Sequence, residues 1–295
     1  MQTVETAPAI SIKNILYPTD FSEAAEAALP FALDAARTFG SRLTAVHVRT
    51  PDAVALTPPL SFPYPSERDS MEEFIKPLDQ RLAAVEHECL LGEGEIWDFL
   101  SQVMGEREID LVVVGTQGRT GLEKLMLGSV AEVIFRQADC PVLTIGPNAS
   151  SATKHPWGIK NMVWATDFTP ESLAAAPLTF SLARERHARL TLLNVLERPT
   201  AEDLVEGQLY FDSTVRVLQH HVPKGTSEDC QLNYEVREGV PSDEILKVAR
   251  ERGSDLIVLG VRPASGRLGL ATHLARPTAH RVVCKATCPV LTVRG

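Results

Sequence analysis

The 295-residue chain is short of positive charge: 29 Lys and Arg stand against 38 Asp and Glu, a net charge of −9. A sequence-independent grip on DNA or RNA needs clustered Lys and Arg to displace counterions, so no nucleic-acid partner is expected. Long apolar runs are missing too. Nothing approaches the ~18 consecutive apolar residues of a spanning helix, and Met1-Gln2-Thr3-Val4-Glu5 lacks the basic and apolar regions of a secretory leader. The expectation is a soluble, cytoplasmic protein with no membrane partner. The five cysteines, Cys89, Cys140, Cys230, Cys284 and Cys288, form no CxxC pair and make an odd count; Cys284 lies four residues before Cys288, but no His or second pair completes a zinc set there. Cys140 and Cys288 each open a Cys-Pro-Val-Leu-Thr run and read as small buried residues at a strand entry. A Walker loop and a Gly-x-Gly-x-x-Gly fingerprint are both absent, and no Ser-Gly-Gly-x-Asp-Ser follows the first strand.

With 44% hydrophobic and 23% charged residues, the chain can bury two cores of ordinary size. It is also a repeat. Asn14-Ile15-Leu16-Tyr17-Pro18-Thr19-Asp20-Phe21-Ser22 returns as Asn161-Met162-Val163-Trp164-Ala165-Thr166-Asp167-Phe168-Thr169, each leading into an Ala-rich helix that contains Pro30 or Pro177. Ile109 to Gly115 matches Ser254 to Gly260, and both halves close on Cys-Pro-Val-Leu-Thr. These matches divide the chain into domains 1–147 and 157–295. The small, polar, Pro-bearing stretch 148–156 reads as the linker.

Short apolar runs alternate with helical periods, the pattern of βα units around a parallel sheet. The first half predicts strands near 13–17, 42–48, 84–90, 110–115 and 141–145, and helices over 22–39, 68–81, 95–107 and 129–137. Residues 50–66, with Pro58-Pro59 and Pro63-Tyr64-Pro65, read as a long loop beside the strand ends, either a lid or a surface excursion.

The candidate site follows from Gly115-x2-Gly118-x9-Gly128-Ser129, placed directly after Leu111-Val112-Val113-Val114. A glycine closing a strand lets a ligand approach the main chain. Ser129-x-x-Glu132 reads as a capping box opening a helix whose free amides suit phosphate. A glycine-rich loop with no ligand is the alternative. By analogy with Thr169-Pro170, Ser22 is the N-cap of the first helix, which leaves Asp20 in the crevice to accept from a ribose hydroxyl or base amino group. The alternative is that Asp20 and Asp167 fix their own turns. In the second copy Pro263 replaces Gly118, and Arg276-Pro277 stands opposite Gly128-Ser129, so its cradle reads as degenerate. Arg262, Arg267, His273, Arg276 and His280 make that region basic.

With Tyr17-Pro18-Thr19-Asp20-Phe21-Ser22, Val46-His47-Val48 and the glycine pattern in order, the chain resembles a tandem universal stress protein, two copies of the domain head to tail. The resemblance implies an α/β fold of two Rossmann-like, doubly wound domains, each a five-stranded parallel sheet of order 3-2-1-4-5. It implies an adenine nucleotide (ATP, ADP or AMP), with Pro18, Asp20 and Val48 lining the adenine and ribose pocket. Gly115, Gly118, Gly128, Ser129 and Val130 would hold ribose and phosphates. Thr19 and Val114 flank this set, and Arg119 lies in the cradle loop within reach of phosphate. Mg2+ would join through the phosphates, with Ser129 as a single protein ligand. No residue reads as a catalytic base, so any enzymatic activity is at most weak ATP hydrolysis or phosphoryl transfer. The resemblance also implies pairing of the last strands, 141–145 and 289–293, as an intrachain pseudo-dimer, with a homodimer and protein clients left open. Three readings follow: an ATP-binding protein of stress adaptation or signalling, a scaffold for protein clients that binds no nucleotide, or a slow ATPase.

Overall fold

Runs of branched residues too short for helices, set between Ala-rich amphipathic stretches, give each half of the chain the same series of βα units. The structure, a computed structural model, describes residues 11–49, 68–116, 127–149, 157–197, 207–262 and 278–295. The first half contains β1 (Asn14–Pro18), α1 (Glu23–Phe39), β2 (Arg42–Arg49), α2 (Arg68–Leu82), β3 (His87–Glu93), α3 (Ile96–Glu106), β4 (Leu111–Gly115), α4 (Ser129–Gln137) and β5 (Val142–Ile145). The second contains β6 (Asn161–Ala165), α5 (Pro170–Leu173), α6 (Ala176–Glu185), β7 (Arg189–Leu196) and α7 (Gly207–His220). It continues with α8 (Thr226–Asp229), β8 (Gln231–Glu238), α9 (Pro241–Glu251), β9 (Leu256–Val261), α10 (Thr278–Lys285) and β10 (Val290–Arg294). No described helix is long and apolar enough to cross a membrane.

Both repeats follow the strand order 3-2-1-4-5, as β3-β2-β1-β4-β5 and β8-β7-β6-β9-β10. The pairings of β1 with β2 and β4, and of β6 with β7 and β9, are parallel. Central strands covered on both faces are continuously apolar. Ile15, Leu16, Val112 and Val113 are fully buried in one half, and Val163, Trp164, Ile257 and Val258 in the other.

The chain divides into two compact units. One is built on Ser11–Val142 and includes Trp157; the other is built on Gly158–Gly295 and includes Leu143–Ile145. Trp157 donates its backbone N–H to Asp34 Oδ2 at 2.8 Å and its indole N–H to the Phe31 carbonyl at 3.0 Å, which fastens it to α1.

Two repeated clamps set the strand starts. Asp110 Oδ2 accepts the backbone N–H groups of Lys13 and Asn14 at 2.7 and 2.9 Å. Asp255 Oδ2 does the same for Lys160 and Asn161 at 2.9 and 2.8 Å. Equivalent arginines, the C-caps of α3 and α9, pin the outer strands: Arg107 donates to Glu88 at 2.7 Å and Arg252 to Glu235 at 2.9 Å. Burial alone would raise both carboxyls. Hydrogen bonds from Arg107 and Thr44 hold Glu88 below its ordinary value, and those from Arg252 and Arg237 do so for Glu235.

Three local expectations need correction. Strand β3 spans His87–Glu93 rather than 84–90, because the turn after α2 extends through residue 86, with Val85 N–H donating to the Leu82 carbonyl at 3.0 Å. The second-half counterpart of α1 is broken into α5 and α6, and Pro177 opens α6 instead of lying inside one helix. Ser129 is not an N-cap. Gly128 takes that place in an extended conformation (φ −60°, ψ 154°), no side chain caps the end, and Glu132 pairs instead with Arg136 at 2.7 Å.

Candidate crevice at the strand ends

The site begins where β1 hands over to α1. Thr19 is buried, and its hydroxyl oxygen accepts the N–H of Phe21 at 3.0 Å. Asp20 Oδ1 accepts the N–H of Ser22 at 2.9 Å, and Ser22 caps α1 by accepting from Ala25 N–H at 3.3 Å. Phe21 sits between them at φ 60°, a left-handed conformation uncommon for a bulky residue. The second half repeats the turn: Phe168 has φ 63°, Thr166 accepts from Phe168 N–H at 3.0 Å, and Thr169 caps α5. Asp167 Oδ1 there accepts both the N–H and the hydroxyl of Thr169, at 3.1 and 2.6 Å. Burial works to raise the Asp167 carboxyl. Hydrogen bonds from Thr169 and Ser172 outweigh it and hold the group below its ordinary value. One oxygen of each aspartate therefore fixes its own turn. That shapes the crevice floor and aims the carboxylate.

A second strut comes from β2. His47, 4% exposed, donates its Nδ1–H to the Thr19 carbonyl at 2.8 Å, and Asn194 Nδ2 donates to the Thr166 carbonyl at the same distance. Both side chains satisfy a carbonyl that the strand ladder leaves over. Sequence reasoning used His47 only as part of a pattern; its alignment with Asn194, another donor of similar reach, was the available signal.

Pro18 lies opposite Val46 in the β1–β2 register, which sets Val48, two residues further on, beside the turn at Asp20. Pro18 and Val114 are buried, while Val48 and Asp20 are partly open. Gly115 closes β4. A Cβ there would run into the Ala24 carbonyl of α1, and at Gly260 into the Glu171 carbonyl of α5. The glycine is thus required first by the close passage of a helix backbone over the strand end. That explains why it persists in both repeats, and it supplements the expectation of ligand approach.

Beyond Gly115, Gly118 and Arg119 lie outside the described residues, as do Lys124 and, in the second half, Pro263, Arg267, His273, Arg276 and Pro277. The loop ends are described. Gly128 N–H donates to the Thr116 carbonyl at 2.5 Å, so the strand end and the helix start are stitched together across the glycine-rich segment. Gly128 accepts from Glu132 N–H at 2.8 Å. The first amides of α4, from Ser129 and Val130 onward, have no intrahelical acceptor and form a donor cluster at the positive end of the helix dipole.

The second half brings the equivalent positions together. A cleft of about 350 Å³ is lined by Ala165, Asp167, Val195, Gly260 and Thr278, the repeat counterparts of Pro18, Asp20, Val48, Gly115 and Val130. Glu171 and Glu197 add carboxylates to its rim, and Arg262 comes within 4.0 Å of Glu171. Ala24 and Thr50 occupy the matching places in the first repeat. The sequence reading of a degenerate second cradle did not foresee a cleft here.

Comparison with known proteins gives one family. The model described as "Universal stress protein family" matches residues 11–146 and again 158–294. The universal stress protein YxiE of Bacillus subtilis is 31% identical over 147 residues, covering 45% of this chain and 97% of that protein. A universal stress protein of Mycolicibacterium smegmatis is 25% identical over 301 residues, covering 95% of this chain and 97% of its own. Among solved structures, a universal stress protein from Archaeoglobus fulgidus overlays with a TM-score of 0.69 at 17% identity, covering 97% of this chain and 99% of that one.

Proposed function

We propose that this chain, which belongs to the universal stress protein family, is a tandem stress-adaptation or signalling protein of the cytoplasm whose first domain, residues 1–147, holds ATP. The observation that carries the reading is the end of β4. Gly115 packs under α1, a hydrogen bond joins Thr116 to Gly128, and the uncapped start of α4 offers backbone amides. Charge-assisted hydrogen bonds of about 1.5–3 kcal/mol each, from three or four such amides, supply much of the ~8 kcal/mol that micromolar binding requires. Asp20 and Val48 supply the polar and apolar contacts for ribose and base. Mg2+ would accompany the triphosphate, with Ser129 as its protein contact.

Charge favours the first domain over the second. The second cleft is rimmed by Asp167, Glu171 and Glu197, whereas the first repeat has only Asp20 at those positions. At an effective dielectric near 20 and a separation of ~8 Å, each added like-charge pair opposes a phosphate by about 2 kcal/mol. Arg262, within 4.0 Å of Glu171, cancels one of the two surplus carboxylates, and the remaining one offsets the gain from about one amide contact.

Mass analysis of nucleotide released from purified protein, with calorimetric titration of ATP, tests this. The expected result is one adenine nucleotide per chain, with binding lost in Gly118→Pro. Two per chain would remove the assignment to one domain, and no heat or thermal shift with ATP would favour the client scaffold. Steady phosphate release abolished in Gly118→Pro would mark a slow ATPase.

A further inference from the structure

A second constellation lies at the opposite end of the sheet, at the amino end of β3. His87 and Cys89 are two residues apart on this strand and so share a face; Asp79 comes from α2, which packs on β3. One ligand atom from each lies within 4.8 Å of the other two. His87 Nδ1 is 3.0 Å from the Val85 carbonyl, which can only accept, so Nδ1 carries the hydrogen. The remaining nitrogen, Nε2, is 3.1 Å from Asp79 Oδ1. Two lone pairs facing each other at that distance require a cation between them. A proton serves the pair alone, whereas a metal ion serves the thiol as well.

We propose that Asp79, His87 and Cys89 form a binding site for a zinc-class divalent cation. The donor set fits. A tetrahedral ion with Zn–N and Zn–O bonds near 2.0–2.1 Å sets the nitrogen and oxygen about 3.3 Å apart, close to the observed 3.1 Å. The sulfur edge of such a tetrahedron is about 3.6 Å, so Cys89 Sγ has at most about 1.2 Å to travel from its 4.8 Å limit. Thiolate and imidazole select zinc-like ions over Mg2+ and Ca2+. The Val85 carbonyl orients the imidazole as outer-shell acceptors do in metal sites. Asp79 is 58% exposed and His87 16%, which leaves an entry path and a fourth position for water. The fold does not require these residues. By register with Leu43 and Leu190, the second repeat holds Leu232 and Tyr234 at the positions of His87 and Cys89. An ion here would tie the outermost strand of the first repeat to α2.

The test uses the full chain, stripped with a chelator and titrated with Co2+. The expected result is a thiolate-to-cobalt charge-transfer band saturating at one ion per chain, bleached by Zn2+, and a rise in Tm when Zn2+ is added. Cys89→Ser should abolish the band while circular dichroism stays native, and Cys140→Ser should keep it. Asp79→Asn, an exposed and near-isosteric change, should weaken Co2+ binding at least tenfold. Absence of a charge-transfer band in the unsubstituted chain, or its persistence in Cys89→Ser, would overturn the assignment. Neither readout involves nucleotide, so this test stands apart from that of the first-domain crevice.

Discussion

Gly115 and Gly260 stand where a single methyl group would strike the backbone of α1 and α5, the helices that follow the neighbouring strands β1 and β6. Alanine at either position forces the helix off the strand end, and such overpacking costs about 1–3 kcal/mol. Urea unfolding should show that loss for both variants with no ATP present; a ligand-only role for Gly115 would leave its stability unchanged. At residue 47 the repeat supplies its own control. Since Asn194 performs in one half what His47 performs in the other, His47→Asn should stay within about 0.5–1 kcal/mol of the parent. His47→Leu, which strands a buried carbonyl, should lose about 1–3 kcal/mol by the same measurement. The paired cysteines give a pH dependence. Burial, followed by nearby Asp110 and Asp139 for Cys140 and Asp255 for Cys288, pushes both thiols up to about 12. A folded value above the unfolded 9.0 means the stability they contribute is complete below pH 9 and is lost as the pH climbs toward 12. Urea midpoints should therefore fall between pH about 8 and about 10.5 by less in Cys140→Ser and Cys288→Ser than in the parent, and native-state alkylation of both should be slow at neutral pH.

The start of α4 is the element on which the nucleotide proposal rests, and it can be altered without unmaking the helix. Proline is well accommodated at the first helical position, so Ser129→Pro deletes one amide donor and one hydroxyl while leaving the backbone path intact. ATP affinity should fall about tenfold more in Ser129→Pro than in Ser129→Ala, a difference of about 1.4 kcal/mol read by calorimetry. Equal losses would place the contact on the hydroxyl instead. This element also shows where sequence reading reaches its limit. The helix span 129–137 was legible from periodicity, but the cap was misplaced by one residue. Ser129 has the residue type of a cap, whereas Gly128 has its position, fixed by the hydrogen bond to Thr116 across a segment of unrelated sequence. The split of α5 from α6 was hidden for a related reason: Pro30 and Pro177 occupy matching places, yet one lies within a helix and the other begins one.

At the scale of the whole molecule, duplication supplied two frameworks of the same kind, and divergence acted on their rims. Moving the second rim's carboxylates into the first, as Ala24→Glu with Thr50→Glu, should cut ATP affinity at least tenfold at low salt and less at high salt, with thermal stability of the apo chain little changed. Unchanged affinity would remove charge as the reason for preferring the first domain. The sequence by itself determined the tandem α/β architecture, because strand burial demands apolar runs and helix amphipathicity demands a 3.6-residue period, and both are written locally and twice. It also put Asp20, Val48 and Gly115 at the carboxyl ends of their strands, and the 3-2-1-4-5 order that the family resemblance implied makes those ends neighbours. Only the tertiary structure decided what each of these residues does. The aspartate turns close over two residues and are local, but whether a glycine is pressed by a helix or a histidine donates to a carbonyl at the end of another strand depends on distances between segments far apart in the chain, and no local pattern encodes them.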